Sequence, residues 1–337
     1  MDTQKLESLP PPPGVIGSLR AGFDAVARHV WLILVPLALD LVLWLGPRLS
    51  VDGLLRPFVR YMFQQARRGV AASEMNQFLE AQRIFLDGLQ SFNLLSLVSK
   101  FRTFPIGISS LLAQKMPIDT PLGEQSIVQI SSLPLLLALA FILTLIGWVG
   151  GGLYFRWVSG TTLGQEETGV SSLRAIIQTL ILSVCWFIGL MVVFVPLMLV
   201  LALLAVVSPI LANVAIFVIL LLAFWLVVPL FFMPHGIFAR RQNAFISAIT
   251  SLRMARFTFP TSGMFVISVI ILSQGMKYLW SVPPSDSWMT LVGIAGHAFI
   301  TTTVLAASFV YYRDMNIWLQ TVFEQWQKTR TLPKQHA

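Results

Sequence analysis

The chain has 337 residues, of which 56% are hydrophobic and only 11% charged, and its mean hydropathy is +0.76. Soluble domains carry about a quarter of their residues as Asp, Glu, Lys and Arg, so a water-bathed globular fold is excluded. The net charge of +8 comes from basic residues flanking apolar runs, not from a basic soluble surface interleaved with aromatics; this excludes nucleic acid as a partner and fits an anionic membrane surface.

Between Arg174 and Arg240 there is no charged side chain. A bilayer crossing needs about 20 apolar residues, and this stretch holds more than two. The expected fold is all-α: a polytopic membrane helix bundle of about six transmembrane helices with an extracytoplasmic helical cap. The lone Cys185 makes no intrachain disulfide and reads as a small buried hydrophobe.

Residues 1–13 are polar and then proline-rich, which predicts a disordered or extended tail and no cleaved signal peptide. Over 14–49 the chain is predicted to form a cytoplasmic interfacial helix and then the first span, near 30–49. In the helix, Ile16, Leu19, Phe23 and Val26 share one side, with Arg20, Asp24 and Arg28 opposite, a pattern suited to the headgroup layer.

Residues 50–132 make the cap. Leu55, Phe58, Val59, Met62, Phe63 and Ala66 form one helical face, and Phe78, Phe85, Leu89 and Phe92 a second stripe. A third apolar stretch, 94–112, carries Lys100 and Arg102 at its centre and is broken at Pro105 and Gly107. That predicts an interfacial or re-entrant segment and not a seventh span.

Five further spans fall near 133–155, 175–206, 210–233, 263–281 and 288–312, within 133–312. Ser208 and Pro209 mark a tight connection in which Pro209 restarts the helix and Ser208 is its N-cap. Pro36, Pro196 and Pro229 lie inside spans, where kinks are expected. Gly147 and Gly151 have the Gly-x-x-x-Gly spacing that permits close helix approach. Tyr154, Arg156 and Trp157, then Tyr278 and Trp280, then Tyr311, Tyr312 and Arg313 are expected as interface anchors. Residues 313–337 form a cytoplasmic tail.

With six spans, the N-terminus, the 156–174 and 236–260 loops and the C-terminus share a side. They hold 13 of the 23 basic residues, so both termini are expected in the cytoplasm, in a multi-pass protein of the cell (plasma or inner) membrane. The triplet Ser-Leu-Arg at 18–20, 172–174 and 251–253 fits either three repeated helical hairpins or the shared composition of basic amphipathic segments.

Ionisable groups inside spans are the pointers to function, because a charge in the bilayer is kept for a reason. Asp40 and His297 fall at similar depth in the first and sixth spans, and they are expected to face each other and hydrogen-bond. A basic amphipathic helix near 240–257, with Arg240, Arg241, Arg253 and Arg256 around a Phe245, Ile249 and Leu252 face, fits an anionic leaflet. No metal, hydrolase or phosphate-loop motif is present, so no catalytic residues, metal or cofactor are expected. The expected partners are membrane lipids and other membrane proteins.

The segment VVPLFFMPHGIFARRQNAFISAITSLRMAR, followed by two spans and ending FVYYRDMNIWLQ, resembles uncharacterised bacterial polytopic membrane-protein families. Among them are the membrane-domain-like proteins associated with glycerophosphodiester phosphodiesterases. The resemblance covers the last third of the chain and implies a bacterial plasma-membrane protein; no catalytic residues transfer, because the phosphodiesterase domain has no counterpart here. The leading expectation is a non-enzymatic accessory or scaffolding protein that contacts lipids or other membrane proteins. A transporter or permease component with a midplane polar site is the alternative, and an intramembrane lipid-modifying enzyme the third.

Overall fold

Five helices are long and apolar enough to cross a membrane, and a bent pair, Val15–Arg28 with Val30–Leu45, makes a sixth crossing if counted as one span. The computed structural model describes residues 11–70, 72–99, 105–113, 119–164 and 169–331. The expected tail at 1–10 and the charges at Lys100 and Arg102 lie outside the described residues.

α1 (Val15–Arg28) meets a 3-10 turn (Val30–Ile33) and α2 (Leu34–Leu45) at 96°. The helix of the expected first span therefore ends at Leu45; Arg48 and Leu49, expected in the span, belong to strand β1 (Arg48–Ser50). Next come α3 (Asp52–Arg67), α4 (Met75–Ser91), a 3-10 turn (Leu94–Val98), a short hairpin of β2 (Asp119–Thr120) and β3 (Gly123–Glu124), and β4 (Ile127–Gln129), which pairs with β1 in parallel. The long helices are α5 (Leu133–Leu163), α6 (Ser172–Val207), α7 (Pro209–Phe232) with the short α8 (His235–Arg240), α9 (Ala244–Trp280) and α10 (Met289–Thr331).

The sequence explains the joints. Ser208 alone separates α6 from α7, in extended conformation ahead of Pro209, because proline's missing N–H is harmless at the first helical position. The basic helix and the fifth span, expected as separate pieces, are one element: α9 runs through a kink at Thr258, whose φ of −124° and ψ of 20° depart from helical values two residues before Pro260. Likewise α10 carries on through the expected tail to Thr331.

α1 lies across α10. Ser18, Gly22 and Val26 are buried, whereas Ile16 is 82% exposed. The expected apolar face is therefore split: Val26 turns inward with the small Ser18 and Gly22, which permit close helix approach, while Ile16 and Phe23 turn outward. At Gly22 the approach is so tight that a Cβ would lie 2.5 Å from the Ala307 backbone nitrogen.

The core has two main parts. One gathers Val26, Tyr154, Phe155, Ile237, Phe238 and Phe309, and the other gathers Phe232, Phe265, Val266, Tyr311, Tyr312 and Met315. Tyr154, Tyr311 and Tyr312 are thus not interface anchors. The helices that carry them run past the expected boundaries, and the rings pack inside, with Phe265 stacked on Tyr311 at 4.1 Å and the Tyr154 hydroxyl 2.7 Å from Thr302 Oγ1. Tyr278 and Trp157 remain exposed. Cys185 is exposed, contrary to the buried role expected of it, because α6 is covered by protein only near its start.

In the cap, Phe63 sits 5.5 Å from Phe78 and 5.9 Å from Phe85, which zips α3 to α4. Neither helix buries a residue, and Phe58, Met62 and Ile84 stay exposed. The three Ser-Leu-Arg triplets lie on helices but do different work: the Ser18 hydroxyl bonds back within α1 to Gly14, Ser172 is exposed, and Ser251 donates across to the Pro229 carbonyl of α7.

Candidate functional site

Ile106, Ile108, Leu111 and Leu112 of the 105–113 segment are buried in the bundle, with Leu95 of the preceding 3-10 turn packed beside Leu111 and Leu112. Gly147 and Gly151 of α5 make the space: a Cβ on Gly147 would lie 2.8 Å from the Val98 carbonyl oxygen, and one on Gly151 would lie 2.7 Å from Gly107 Cα. The Gly-x-x-x-Gly spacing therefore serves close approach, but to this turn and segment and not to another helix. Gly152, next along, makes room for Thr179 of α6.

A buried non-helical backbone needs acceptors for its N–H groups, since apolar side chains offer none. Asp40 provides them. One carboxylate oxygen accepts the Ser110 hydroxyl and the Leu112 N–H at 3.2 Å, and the other accepts the Leu111 N–H at 2.9 Å. Ser110 Oγ in turn accepts the Ala113 N–H at 2.9 Å. Consecutive amides converging on an anion form a compact nest, here filled by a side chain of the same molecule. Asp40 is fully buried.

The expected Asp40–His297 hydrogen bond is absent. The amides at 111 and 112 occupy the carboxylate, because they have no water to turn to. His297 is 5% exposed, and its Nε2 has no hydrogen-bond partner among the described residues. Lys277, in the last turn of α9, lies within electrostatic reach of both groups.

The C-terminal ends of α2 and α9 and the N-terminal end of α10 meet around this point. Leu43, Trp44, Leu111, Leu112 and Ile294 form one buried cluster. Trp44 Nε1 donates to the Ser285 carbonyl at 2.8 Å, and the Gln125 amide donates to the Leu43 and Trp44 carbonyls at 2.9 and 2.6 Å, satisfying orphan acceptors at the end of α2. Trp280 lies over Gly293 and Gly296, where a Cβ would come within 2.3 and 2.6 Å of it. Arg48 is 5% exposed, and its Nε and Nη1 have no hydrogen-bond partner among the described residues. Sequence reasoning missed Gln125 and Arg48; a polar residue beside a short β pairing carries no periodic signal.

At the opposite end of the bundle the four arginines divide. Arg240 Nη1 donates to Asn316 Oδ1 at 3.2 Å. Arg241 adopts the left-handed conformation, φ 53°, and its carbonyl accepts from Arg174 at 2.6 Å. These two tie the loop to α10 and α6. Arg253 and Arg256 are exposed, beside an apolar face whose Phe245, Ile249 and Leu252 are 63%, 53% and 57% exposed. His235, expected only to mark a helix exit, is buried with Nε2 2.7 Å from Ser308 Oγ.

The chain matches no family model, no curated protein and no solved structure. What defines its class is the architecture: a helical bundle with five to six helices suited to crossing a membrane, in which a buried carboxylate latches the 105–113 segment.

Proposed function

We propose that this is a non-enzymatic membrane protein, accessory or scaffolding, that works by contacting lipids or other membrane proteins. The observation that carries this reading is the use made of Asp40. It is the one buried carboxylate among the described residues, and both its oxygens accept from protein donors. A carboxylate that accepts from three protein donors is used to hold a structure together. The exposed apolar surfaces of α3, α4 and the first half of α9 give such a protein its contacts. The basic bias of the side that holds α1, α8 and the end of α10 supports a plasma membrane with cytoplasmic termini, and the resemblance of the last third supports a bacterial one.

A second reading, a transporter or permease component, is favoured by one observation: His297 Nε2 is buried without a partner close to Lys277. Cysteine accessibility separates the two readings. In a Cys185→Ser background, Leu111→Cys and Ala298→Cys place thiols beside Asp40 and His297. In sealed vesicles, neither thiol is expected to react with a membrane-impermeant maleimide from either side. Labelling from one or both sides would reveal a path to the site and overturn the scaffold reading.

A further inference from the structure

The kink in α9 opens a cleft of about 490 Å³ between its first half and the extension of α10, lined among others by Arg253, Arg256, Phe257, Asn316, Leu319 and Phe323. We propose that this cleft holds a single anionic phospholipid of the leaflet on that side, its phosphate between Arg253 and Arg256 and its glycerol and upper acyl chain on the membrane side of them, against Phe257. The inference rests on the lipid-contacting reading above and names the lipid class and the place.

Three observations carry it. The first is depth. Twenty residues of helix, about 30 Å, span the hydrocarbon core, and counting back from Trp280 at the outer end of α9 reaches Pro260, immediately after the kink at Thr258. Arg253 and Arg256 therefore fall in the headgroup layer. Asn316 and Leu319 of α10 lie about 6 and 10 Å beyond Tyr312 along the helix axis, at the same level.

The second is charge. The cleft lining contains two arginines and no acidic side chain. Both arginines are exposed and stand three residues apart on one helix, on neighbouring positions of its surface. Guanidinium pairs of this kind suit a phosphate, which takes two parallel N–H donors.

The third is the mixed lining. The arginines share it with the polar Thr250, Asn316 and Gln320 and with the apolar Phe257, Leu319 and Phe323, of which Phe257 and Phe323 meet edge to face at 5.3 Å. Arg256 also sits 6.0 Å above the Phe257 ring, so the charged and apolar parts touch. A free inorganic anion would use only the first part; a phospholipid uses both.

Native mass spectrometry of the detergent-purified full chain tests this with phosphatidylglycerol and phosphatidylcholine of identical acyl chains. Each basic residue near an anionic lipid contributes about a fivefold preference, so the two arginines predict retention of one phosphatidylglycerol at roughly 25-fold over phosphatidylcholine. Arg253→Gln with Arg256→Gln should bring the two lipids to parity. Arg60→Gln with Arg67→Gln, which removes equal charge from the exposed face of α3, should leave the preference intact. Equal retention of both lipids by the unaltered chain, or equal loss in both double variants, overturns the proposal. A photoactivatable phosphatidylglycerol needs no variant: crosslinks are expected in peptides from both 250–257 and 316–323, and crosslinks confined to other segments overturn it. Either failure leaves the maleimide result at Leu111 and Ala298 untouched, so loss of the lipid site and loss of the scaffold reading are separable.

Discussion

Replacing Asp40 tests the latch directly. In Asp40→Ala the amides of Leu111 and Leu112 lose their acceptor, in surroundings where Leu111 is 2% and Leu112 4% exposed. An orphaned buried donor costs about 1–3 kcal/mol. Ser110 can turn its hydroxyl elsewhere and contributes less, so the expected loss is about 2–6 kcal/mol. Asp40→Asn retains one acceptor oxygen but presents an NH2 group to at least one N–H, and the expected loss is about 2 kcal/mol. The assay is hydrogen exchange on the protein in lipid nanodiscs, read at the 105–113 segment. A loss of 2 kcal/mol corresponds to roughly 30-fold faster exchange. Peptides from α7 serve as the internal control, because α7 does not touch the segment's hydrogen bonds. Unchanged exchange at 105–113 in both variants would refute the claim that the carboxylate holds this segment.

Two further outcomes follow from close approaches. Gly22→Val forces a side chain onto the Ala307 and Thr303 backbone, with contacts of 2.5–2.7 Å at Cβ alone; it should destabilise by about 3 kcal/mol or displace α1, seen as a lower thermal midpoint in detergent, while Gly17→Ala, with open space around it, should change nothing. Gly151→Leu should expel the 105–113 segment from α5, because the Cβ would meet Gly107 Cα at 2.7 Å, and limited proteolysis of intact vesicles should then cut within it, where the unaltered chain resists.

Hydropathy made the spans legible because lipid imposes a composition on every exposed face of α6 and α7, whatever the tertiary structure. The turn at Ser208 and Pro209 was legible too, since a proline amid apolar residues breaks a rule. The back-bonding of Thr301 and Thr302 to His297 and Ala298 follows from local helix geometry in the same way.

Asp40 was legible as a residue and not as a contact. Its polarity inside a span is written in the chain, but its partners are two backbone amides some 70 residues away, and an amide has no letter of its own. The pairing with His297 was inferred from depth, and depth is blind to what lies between two helices. Tyr154, Tyr311 and Tyr312 misled for a related reason. A tyrosine at a span's apparent end is amphipathic in either setting, and only the continuation of α5 and α10 beyond that end decides that it faces Phe232 and Phe265 instead of headgroups. The continuity of α9 was hidden because its first half is amphipathic and its second half apolar, so one helix reads as two.

The first crossing has consequences for the membrane itself. Its 16 residues, Val30–Leu45, with one 3-10 turn, reach about 26 Å, short of a hydrocarbon layer of about 30 Å. Leu34 and Val42 face outward at 52% exposure, so lipid tails beside them must shorten to match. That mismatch of about 4 Å costs fractions of a kcal/mol per Å. A crossing by Val30–Leu45 alone would therefore press a one-sided dimple into the bilayer and favour membranes thin enough to remove it.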